Sequence, residues 1–255
     1  MGSPASVERY FESGGVSIRF LEEGDGPPVV LVHGFTSSAE SWTEIGVLPR
    51  LSGGFRGIAI DCRGHGQSGK PRDPSAYGMR MVRDVVAVLD FLDIEAAHLV
   101  GYSMGAEIAL RTTVAYPRRV RSLIIGGSGW SESHESETYR RIGESLRDHG
   151  SIGPAVRWMN AHSPAGPFTP PTDEQIAEID GFFQSQDVAA LSAVAASMHE
   201  IVNLSRDQVA AIGVPVLGIT GSEDPERYNL EKLVGVTPGY TLGVLGGKYH
   251  GEALF

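Results

Sequence analysis

Apolar runs alternate with segments of helical spacing along most of the chain. Two short strands are predicted at 7–11 and 16–21, joined at Gly14-Gly15 as a hairpin. Apolar runs typical of strands buried on both faces follow at 28–32, 57–60 and 214–220, and further strands are predicted at 98–100, 120–125 and 240–245. Helical periodicity lies between them, most clearly over 79–92 and after residue 105. The alternation predicts an α/β fold with a parallel, doubly wound sheet.

The rhythm of strands and helices stops between Ser128 and Arg206. Charged and aromatic residues mix there with glycine and proline, and no buried-strand pattern is present. We therefore predict a mostly helical insertion over residues 128–206, lying across one end of a core made by residues 1–127 and 207–255. Within the core, a single helix is predicted from a cap near Ser38 to Leu51.

A G-x-S-x-G pattern is the clearest chemical signal in the chain. Gly101-Tyr102-Ser103-Met104-Gly105 lies where an apolar strand gives way to a helical run. In this position the backbone reverses sharply at the serine, and glycines two residues before and after it allow strand and helix to approach closely. Ser103 is then a nucleophile at the start of a helix. The alternative is a Gly-Ser turn without chemistry.

A serine nucleophile needs a base, and the base needs a carboxylate to orient it. His250 follows the last predicted strand, at the edge of the sheet where functional loops lie, and it is our choice among eight histidines. Asp224 follows the strand ending at Thr220 and is the predicted carboxylate. Glu223 is its competitor, and a simple helix-capping role for Asp224 stays open.

An oxyanion hole requires two donors directed at the developing negative charge. The backbone N–H of Met104 follows the nucleophile directly. The second donor is expected from the loop after His33-Gly34, as the N–H of Phe35.

Composition narrows the range of partners. The chain has 255 residues and a net charge of −10, with no basic stripe, which argues against nucleic acid and anionic membranes. No apolar run approaches membrane-spanning length, and the first residues do not resemble a signal peptide. The single cysteine, Cys62, requires no oxidising compartment, so we expect a cytoplasmic location. No metal-binding or dinucleotide-binding pattern is present, and we expect neither metal nor cofactor.

The chain resembles the α/β-hydrolase superfamily in four features taken together. They are the G-x-S-x-G turn at Ser103 (the nucleophile elbow), the His33-Gly34 loop, the acid at the end of a strand and the last histidine. The segment 61–68, with Asp61, Arg63, Gly64, Gly66 and Ser68, is similar to the D-x-R-G-x-G-x-S loop of its single-cap members. The resemblance spans nearly the whole chain. It implies a mostly parallel sheet of about eight strands, with residues 128–206 forming a helical cap, and it leaves the substrate open.

Differences from related subgroups bear on the chemistry. Haloalkane dehalogenases and epoxide hydrolases of this superfamily use an aspartate nucleophile, whereas position 103 is serine. Carbon–carbon bond hydrolases usually have asparagine where Tyr102 stands. Members also usually continue into a long helix after the histidine. Only five residues follow His250 here, so we expect a less firmly placed imidazole and apolar surface that favours association into a homo-oligomer.

The predicted cap carries apolar side chains suited to a pocket. The candidates are Trp130, Trp158, Met159, Phe168, Phe182, Phe183, Leu191 and Met198. We expect half or more of them to be core, and we choose Trp130, Trp158, Phe182 and Met198 as substrate-binding residues. Arg63, Arg157 and Arg206 are possible clamps for a carboxylate.

These features predict a cofactor-independent serine hydrolase that cleaves small to medium carboxylic esters through an acyl-enzyme intermediate. A lactonase, a thioesterase or a perhydrolase could use the same residues. A ligand-sensing protein with the same fold, or a lyase or transferase using the same serine, are the alternatives from other classes.

Overall fold

The computed structural model describes residues 6–131, 134–163, 171–250 and 252 of the chain. Within these residues, eight strands form one sheet in the order β1-β2-β4-β3-β5-β6-β7-β8. The strands are β1 (Val7–Ser13), β2 (Val16–Glu23), β3 (Pro28–Val32), β4 (Arg56–Ile60), β5 (Ala97–Tyr102), β6 (Val120–Gly126), β7 (Val216–Gly221) and β8 (Tyr240–Leu245). β2 pairs antiparallel with β1 and with β4, and all other neighbouring pairs are parallel. The predicted doubly wound sheet is confirmed.

Helices connect the strands and cover the sheet. They are α1 (Glu40–Glu44), α2 (Val47–Leu51), α3 (Met79–Phe91), α4 (Met104–Ala115), α5 (His134–His149), α6 (Gly153–His162), α7 (Asp173–Gln184), α8 (Val188–Ser197), α9 (His199–Val202), α10 (Arg206–Ala210) and α11 (Arg227–Glu231). Two short 3₁₀ turns lie at Pro74–Ala76 and Pro117–Arg119.

Alternate residues of the central strands enter two different cores. Val30 and Val32 of β3 belong to the larger cluster, together with residues of α3 and α4. Leu31, between them, packs on the opposite face with Trp42 and Leu48, which come from α1 and α2. Successive side chains of a strand point to opposite faces, so β3 is buried on both sides.

The helix predicted from Ser38 to Leu51 is two short helices. Gly46 separates them with a left-handed backbone, at φ 76°. The first helix begins at Glu40, its N-cap residue is Ala39 rather than Ser38, and no side chain caps it. Glycine is the residue that adopts this conformation without steric penalty, so it ends α1.

Among the described residues, six helices, α5 to α10, occupy the chain between β6 and β7. Their buried side chains Tyr139, Val194 and Met198 belong to the same hydrophobic cluster as the strands. The division into a core of 1–127 and 207–255 and a cap of 128–206 stays a prediction.

The carboxyl ends of the parallel strands meet at one edge of the sheet. His33 follows β3, Ser103 follows β5, Asp224 follows β7 and His250 follows β8. Residues distant in sequence therefore meet at this edge, which is where open α/β sheets bind ligands.

Candidate active site

Ser103 lies at the turn between β5 and α4 in a conformation rare for a side-chain-bearing residue. Its φ is 53° and its ψ is −122°. The turn is held by a hydrogen bond from the Ser103 backbone N–H to the Gly126 carbonyl, at 2.8 Å. Backbone strain of this kind is stored where the surrounding structure over-determines it, often at functional sites.

The two glycines of the pentapeptide lie where no side chain fits. A β-carbon on Gly101 would meet the carbonyl oxygen of Gly105 at 2.1 Å, and one on Gly105 would meet the Val32 oxygen at 2.1 Å. Both neighbours are backbone, which cannot move aside as a flexible side chain could. The close approach of strand and helix is the reason for glycine at both positions.

His250 bridges the hydroxyl and the carboxylate. Its Nε2 lies 3.1 Å from Ser103 Oγ, and its Nδ1 lies 3.1 Å from each oxygen of Asp224. A carboxylate only accepts hydrogen bonds, so Nδ1 carries a proton and Nε2 is free to accept the proton of the serine hydroxyl. The geometry suits deprotonation of Ser103.

Asp224, rather than Glu223, faces the imidazole. The Asp224 side chain is fully buried, and its Oδ1 also accepts the backbone N–H of Glu226 at 2.9 Å. Glu223 is exposed and accepts a hydrogen bond from Ser222. The backbone hydrogen bond gives Asp224 a local structural role beside its contact with His250.

Phe35 and Met104 lie beside the nucleophile. Met104 is the first residue of α4, where backbone N–H groups lack partners within the helix. Across the described residues, neither the Phe35 nor the Met104 backbone N–H meets an acceptor. Gly34 packs against Ser103, with a β-carbon there meeting Ser103 Cβ at 3.4 Å. The role of both donors in an oxyanion hole stays a prediction.

Two cavities open onto Ser103 and His250. The first, of about 380 Å³, we call the apolar cavity because Phe35, Trp42 and Ile45 form much of its wall. Its remaining lining residues are His33, Gly34, Ser37, Ser41, Glu44, Tyr102, Ser103 and His250. Its size and wall suit an alkyl or aryl group of a small substrate.

The second cavity, of about 250 Å³, we call the acidic cavity. Its lining residues are Phe35, Ser103, Glu107, Ser128, Glu135, Thr138, Tyr139, Ile142, Met159, Pro225, Glu226 and His250. Three glutamates from three parts of the chain meet in this wall. Burial and the charge of Glu135 raise the pKa of Glu107 to about 8. Burial and the same neighbour raise the pKa of Glu226 well above its usual range.

The residues chosen from sequence for substrate binding do not line either cavity. Trp130 and Met198 are buried in the main core, and the Trp130 indole donates to the Leu204 carbonyl. Trp158 stacks on His162 and lines a separate surface pocket, and Phe182 is about half exposed. Trp130 and Met198 are thus drawn into the core, whereas Trp158 and Phe182 lie on the outside of the helical segment.

Other cap candidates have mixed positions. Met159 lines the acidic cavity, whereas Phe183 and Leu191 are buried together in a small cluster that also touches Phe35. Phe168 lies outside the described residues.

Arg63 is a structural residue in the main body of the protein. It is buried and donates two hydrogen bonds of 2.6 Å to the carboxylate of Asp84. It also donates to the carbonyls of Ser13 and Ala76. Its donors are therefore engaged away from Ser103, and the exposed Arg157 and Arg206 line neither cavity.

Two histidines brace the loops around the site. His33 accepts the backbone N–H of Cys62 at 3.0 Å and its other ring nitrogen bonds the Gly34 carbonyl. His65 packs against His33 and Phe35, and burial lowers its pKa to about 3. Both imidazoles are neutral at ordinary pH, and the contacts of His33 hold the segment that carries Phe35.

The glutamates of the acidic cavity are absent from the sequence-based site. One signal was available: Glu107 stands within the apolar helical run 106–110, one turn after Ser103. Glu135 gives no such signal, because its partners lie far away in sequence.

Over the described ranges, no group of three or more His, Cys, Asp or Glu side chains has a geometry that could hold a metal ion. Within the same ranges, no helix is long and apolar enough to cross a membrane.

About half of the chain is similar in sequence to known proteins. A family model described as alpha/beta hydrolase fold matches residues 27–145. An epoxide hydrolase of Caballeronia sordidicola is 33% identical over 144 residues, which are 55% of this chain and 43% of that protein. A 2-hydroxymuconate semialdehyde hydrolase of Pseudomonas sp. (strain CF600) is 36% identical over 123 residues, 48% of this chain and 44% of that protein.

Solved structures extend the similarity in fold to nearly the whole chain. A carboxylesterase structure from Nitrososphaera gargenis superimposes with a TM-score of 0.72 at 23% identity, covering 96% of this chain and 92% of that one. The sequence matches, by contrast, span less than half the length of the curated relatives.

Proposed function

Because the chain belongs to the α/β-hydrolase superfamily, we propose that it is a cofactor-independent serine hydrolase of small to medium carboxylic esters. The observation that carries the proposal is the chain of contacts from Asp224 through His250 to Ser103, each of 3.1 Å. The same contacts underlie acyl transfer on several unrelated folds.

The proposed reaction has two halves. Ser103 Oγ attacks the ester carbonyl carbon while its proton passes to His250 Nε2, and the Phe35 and Met104 amides stabilise the oxyanion. The bond to the alcohol oxygen then breaks, and the imidazolium returns the proton to the departing alcohol. Water repeats the sequence on the acyl-enzyme, which releases the carboxylic acid and restores Ser103.

The relatives act on chemically diverse substrates, and two residues separate this chain from them. Epoxide hydrolases that resemble it use an aspartate nucleophile, and the serine at position 103 favours attack on a carbonyl instead. Tyr102 stands where carbon–carbon bond hydrolases usually have asparagine, and its ring lies 5.7 Å from that of His250. Both features favour ester chemistry. Lactones, thioesters and peroxide acceptors would react through the same acyl-enzyme.

Replacement of the nucleophile tests the proposal. In Ser103→Ala, turnover of p-nitrophenyl acetate is expected to fall by at least about 10³-fold, because the attacking oxygen is absent. Circular dichroism should show an unchanged fold. Asp224→Asn is expected to lose a similar factor, whereas Glu223→Gln, the matched neighbour, should stay near wild type. Undiminished turnover in Ser103→Ala would refute the assignment.

A fluorophosphonate probe distinguishes the enzyme from a ligand sensor of the same fold. The probe is expected to label Ser103 in wild type and to leave Ser103→Ala unlabelled, as read by intact mass. An unlabelled wild type that binds ligand would favour the sensor. Products formed with and without an added alcohol separate a hydrolase from a transferase.

A further inference from the structure

The acidic cavity is built by three elements that converge beside the nucleophile. Glu107 lies on α4, Glu135 on α5, and Glu226 follows the loop after β7. All three line the same cavity as Ser103 and His250. Glu107 and Glu135 are each only 4% exposed. The carboxyls are thus held at the reaction site itself.

The donors to these carboxyls from other side chains are neutral groups, and Glu135 and Glu226 also form a side-chain hydrogen bond with each other. Ser128 and Tyr139 donate to Glu107 at 3.0 and 2.7 Å. Tyr228 donates to Glu135 at 2.8 Å, and the Asn229 amide donates to Glu135 and Glu226 at 3.0 and 2.9 Å. The donors orient the oxygens but bring no positive charge.

The described residues supply no cation that pairs with these three carboxyls. Among the ion pairs in the part of the chain that the structure describes, none includes Glu107, Glu135 or Glu226. Buried carboxyls are ordinarily paired with cations, or they stay protonated at a cost in free energy. The raised pKa values of Glu107 and Glu226 reflect this lack of a partner. A positive charge that enters the cavity would supply the missing partner.

An unused hydroxyl lies in the same wall. Thr138, one turn from Glu135 on α5, is 4% exposed and lines the cavity. Its Oγ1 has no hydrogen-bond partner among the described residues. Buried hydroxyls nearly always have a partner, so the unpartnered hydroxyl of a residue in this wall points to a group that arrives with the ligand.

From these observations we propose that the acidic cavity is a subsite for an organic cation, an ammonium group carried by one substituent of the substrate carbonyl. The carboxyls supply the charge by releasing their protons as the cation binds, Thr138 offers a further oxygen, and Ile142 and Met159 contact the carbon skeleton. The proposal rests on the proposed function for its place in a reaction. The apolar cavity on the other side of Ser103 would take the second substituent.

Matched ester pairs test the charge alone. Choline esters are compared with carbon isosteres in which a tert-butyl group replaces the trimethylammonium group. A second pair places the same two groups in the acyl part of p-nitrophenyl esters. In at least one pair, wild type is expected to prefer the cation by about tenfold in kcat/KM. Equal kcat/KM values for the cation and its isostere in both pairs would overturn the proposal. The same holds if an analogue with a neutral hydroxyl in place of the ammonium group is turned over as fast as the cation.

Variants assign the preference to this cavity. Glu107→Gln and Glu135→Gln are expected to bring the cation-to-isostere ratio close to one, and Thr138→Val to reduce it less. Glu174→Gln, an exposed residue on α7, is the matched control and should retain the wild-type ratio. Glu226→Gln provides a further test should one of the buried variants fail to fold. A ratio unchanged in the folded variants would contradict the proposal.

A binding measurement separates this proposal from the proposed function. Tetramethylammonium is titrated into Ser103→Ala by calorimetry, with the Ser103→Ala/Glu107→Gln protein as comparison. Binding is expected in the first and a loss of at least about tenfold in the second. If neutral esters are not hydrolysed and Ser103 is not labelled, the proposed function fails and this titration alone decides on the subsite. No binding to Ser103→Ala, with no ester preference, removes the subsite while leaving the hydrolase intact.

Discussion

At the scale of single residues, the surroundings of Glu107 strongly change the ionisation of its side chain. Burial raises its pKa from 4.5 to about 8, with Glu135 adding to the effect. The neutral acid is favoured in the folded protein, whereas the unfolded chain ionises above its ordinary pKa. This contribution to stability is complete below about pH 4.5 and is lost as pH rises to about 8.

Replacement of Glu107 should therefore change how stability depends on pH. Glu107→Gln cannot ionise, so its free energy of unfolding is expected to exceed that of wild type at alkaline pH, by an amount on the order of a few kcal/mol. Near pH 4.5 the two proteins should differ little. Urea unfolding across this range measures the difference. A gap between the two proteins that does not grow with pH would contradict the assigned burial effect.

Arg63 offers a second test at the residue scale. Arg63 forms a bidentate ion pair with Asp84, and both side chains are buried. Removing one partner therefore leaves the other charge unpaired. Arg63→Met is expected to lose about 3–5 kcal/mol of unfolding free energy. The exposed Arg157→Met is the control and should change stability little. Unfolding in urea checks both. A stable Arg63→Met with altered preference for anionic esters would instead restore the clamp hypothesis.

At the scale of elements, the junction of β5 and α4 depends on the absence of two side chains. Gly105→Ala would place a β-carbon 2.1 Å from the Val32 oxygen, so strand and helix must move apart. We expect a loss of about 2–4 kcal/mol in stability and a large loss of turnover. Gly213→Ala is the control, since a β-carbon there meets nothing within 4 Å. Thermal unfolding and ester hydrolysis measure both, and a fully active Gly105→Ala would argue against the close approach.

The limits of sequence patterns also show at the element scale. The strand positions predicted from apolar runs agree closely with β3 to β8. The pattern predicts one helix over 38–51, because an isolated glycine such as Gly46 can lie inside a helix or end it. The φ of Gly46, which ends α1, is decided by how the two short helices pack on the sheet.

At the scale of the whole molecule, β8 leaves apolar side chains in solvent. Val244 is 47% exposed and Leu245 is 40% exposed, and Tyr249 beyond the strand is also exposed. Association through apolar surface stays a prediction. In the described structure, these side chains form the surface through which copies of the chain would associate. Light scattering after size-exclusion chromatography is expected to give a mass above 27.2 kDa, and Val244→Lys should reduce it. A monomer at all concentrations would contradict the prediction.

One part of the site could be predicted from the sequence, and another part could not. Ser103, Asp224 and His250 follow strand ends, and parallel strands bring their carboxyl ends to one edge, so their convergence could be expected before any coordinates. The pocket walls could not be predicted in this way. Trp130 and Met198 have the composition of a pocket but enter the core, because any apolar helix face looks alike until its partner is known.

The amino-acid sequence alone determined the sheet, its strand-end loops and the glycines of the elbow, since periodicity and glycine placement are local and reflect backbone geometry directly. Only the tertiary structure decided which side chains surround Ser103. Glu107, Glu135 and Glu226 are separated by many residues and meet through the packing of α4, α5 and the loop after β7. The pKa values follow from that packing, because burial and neighbouring charge are properties of the folded chain.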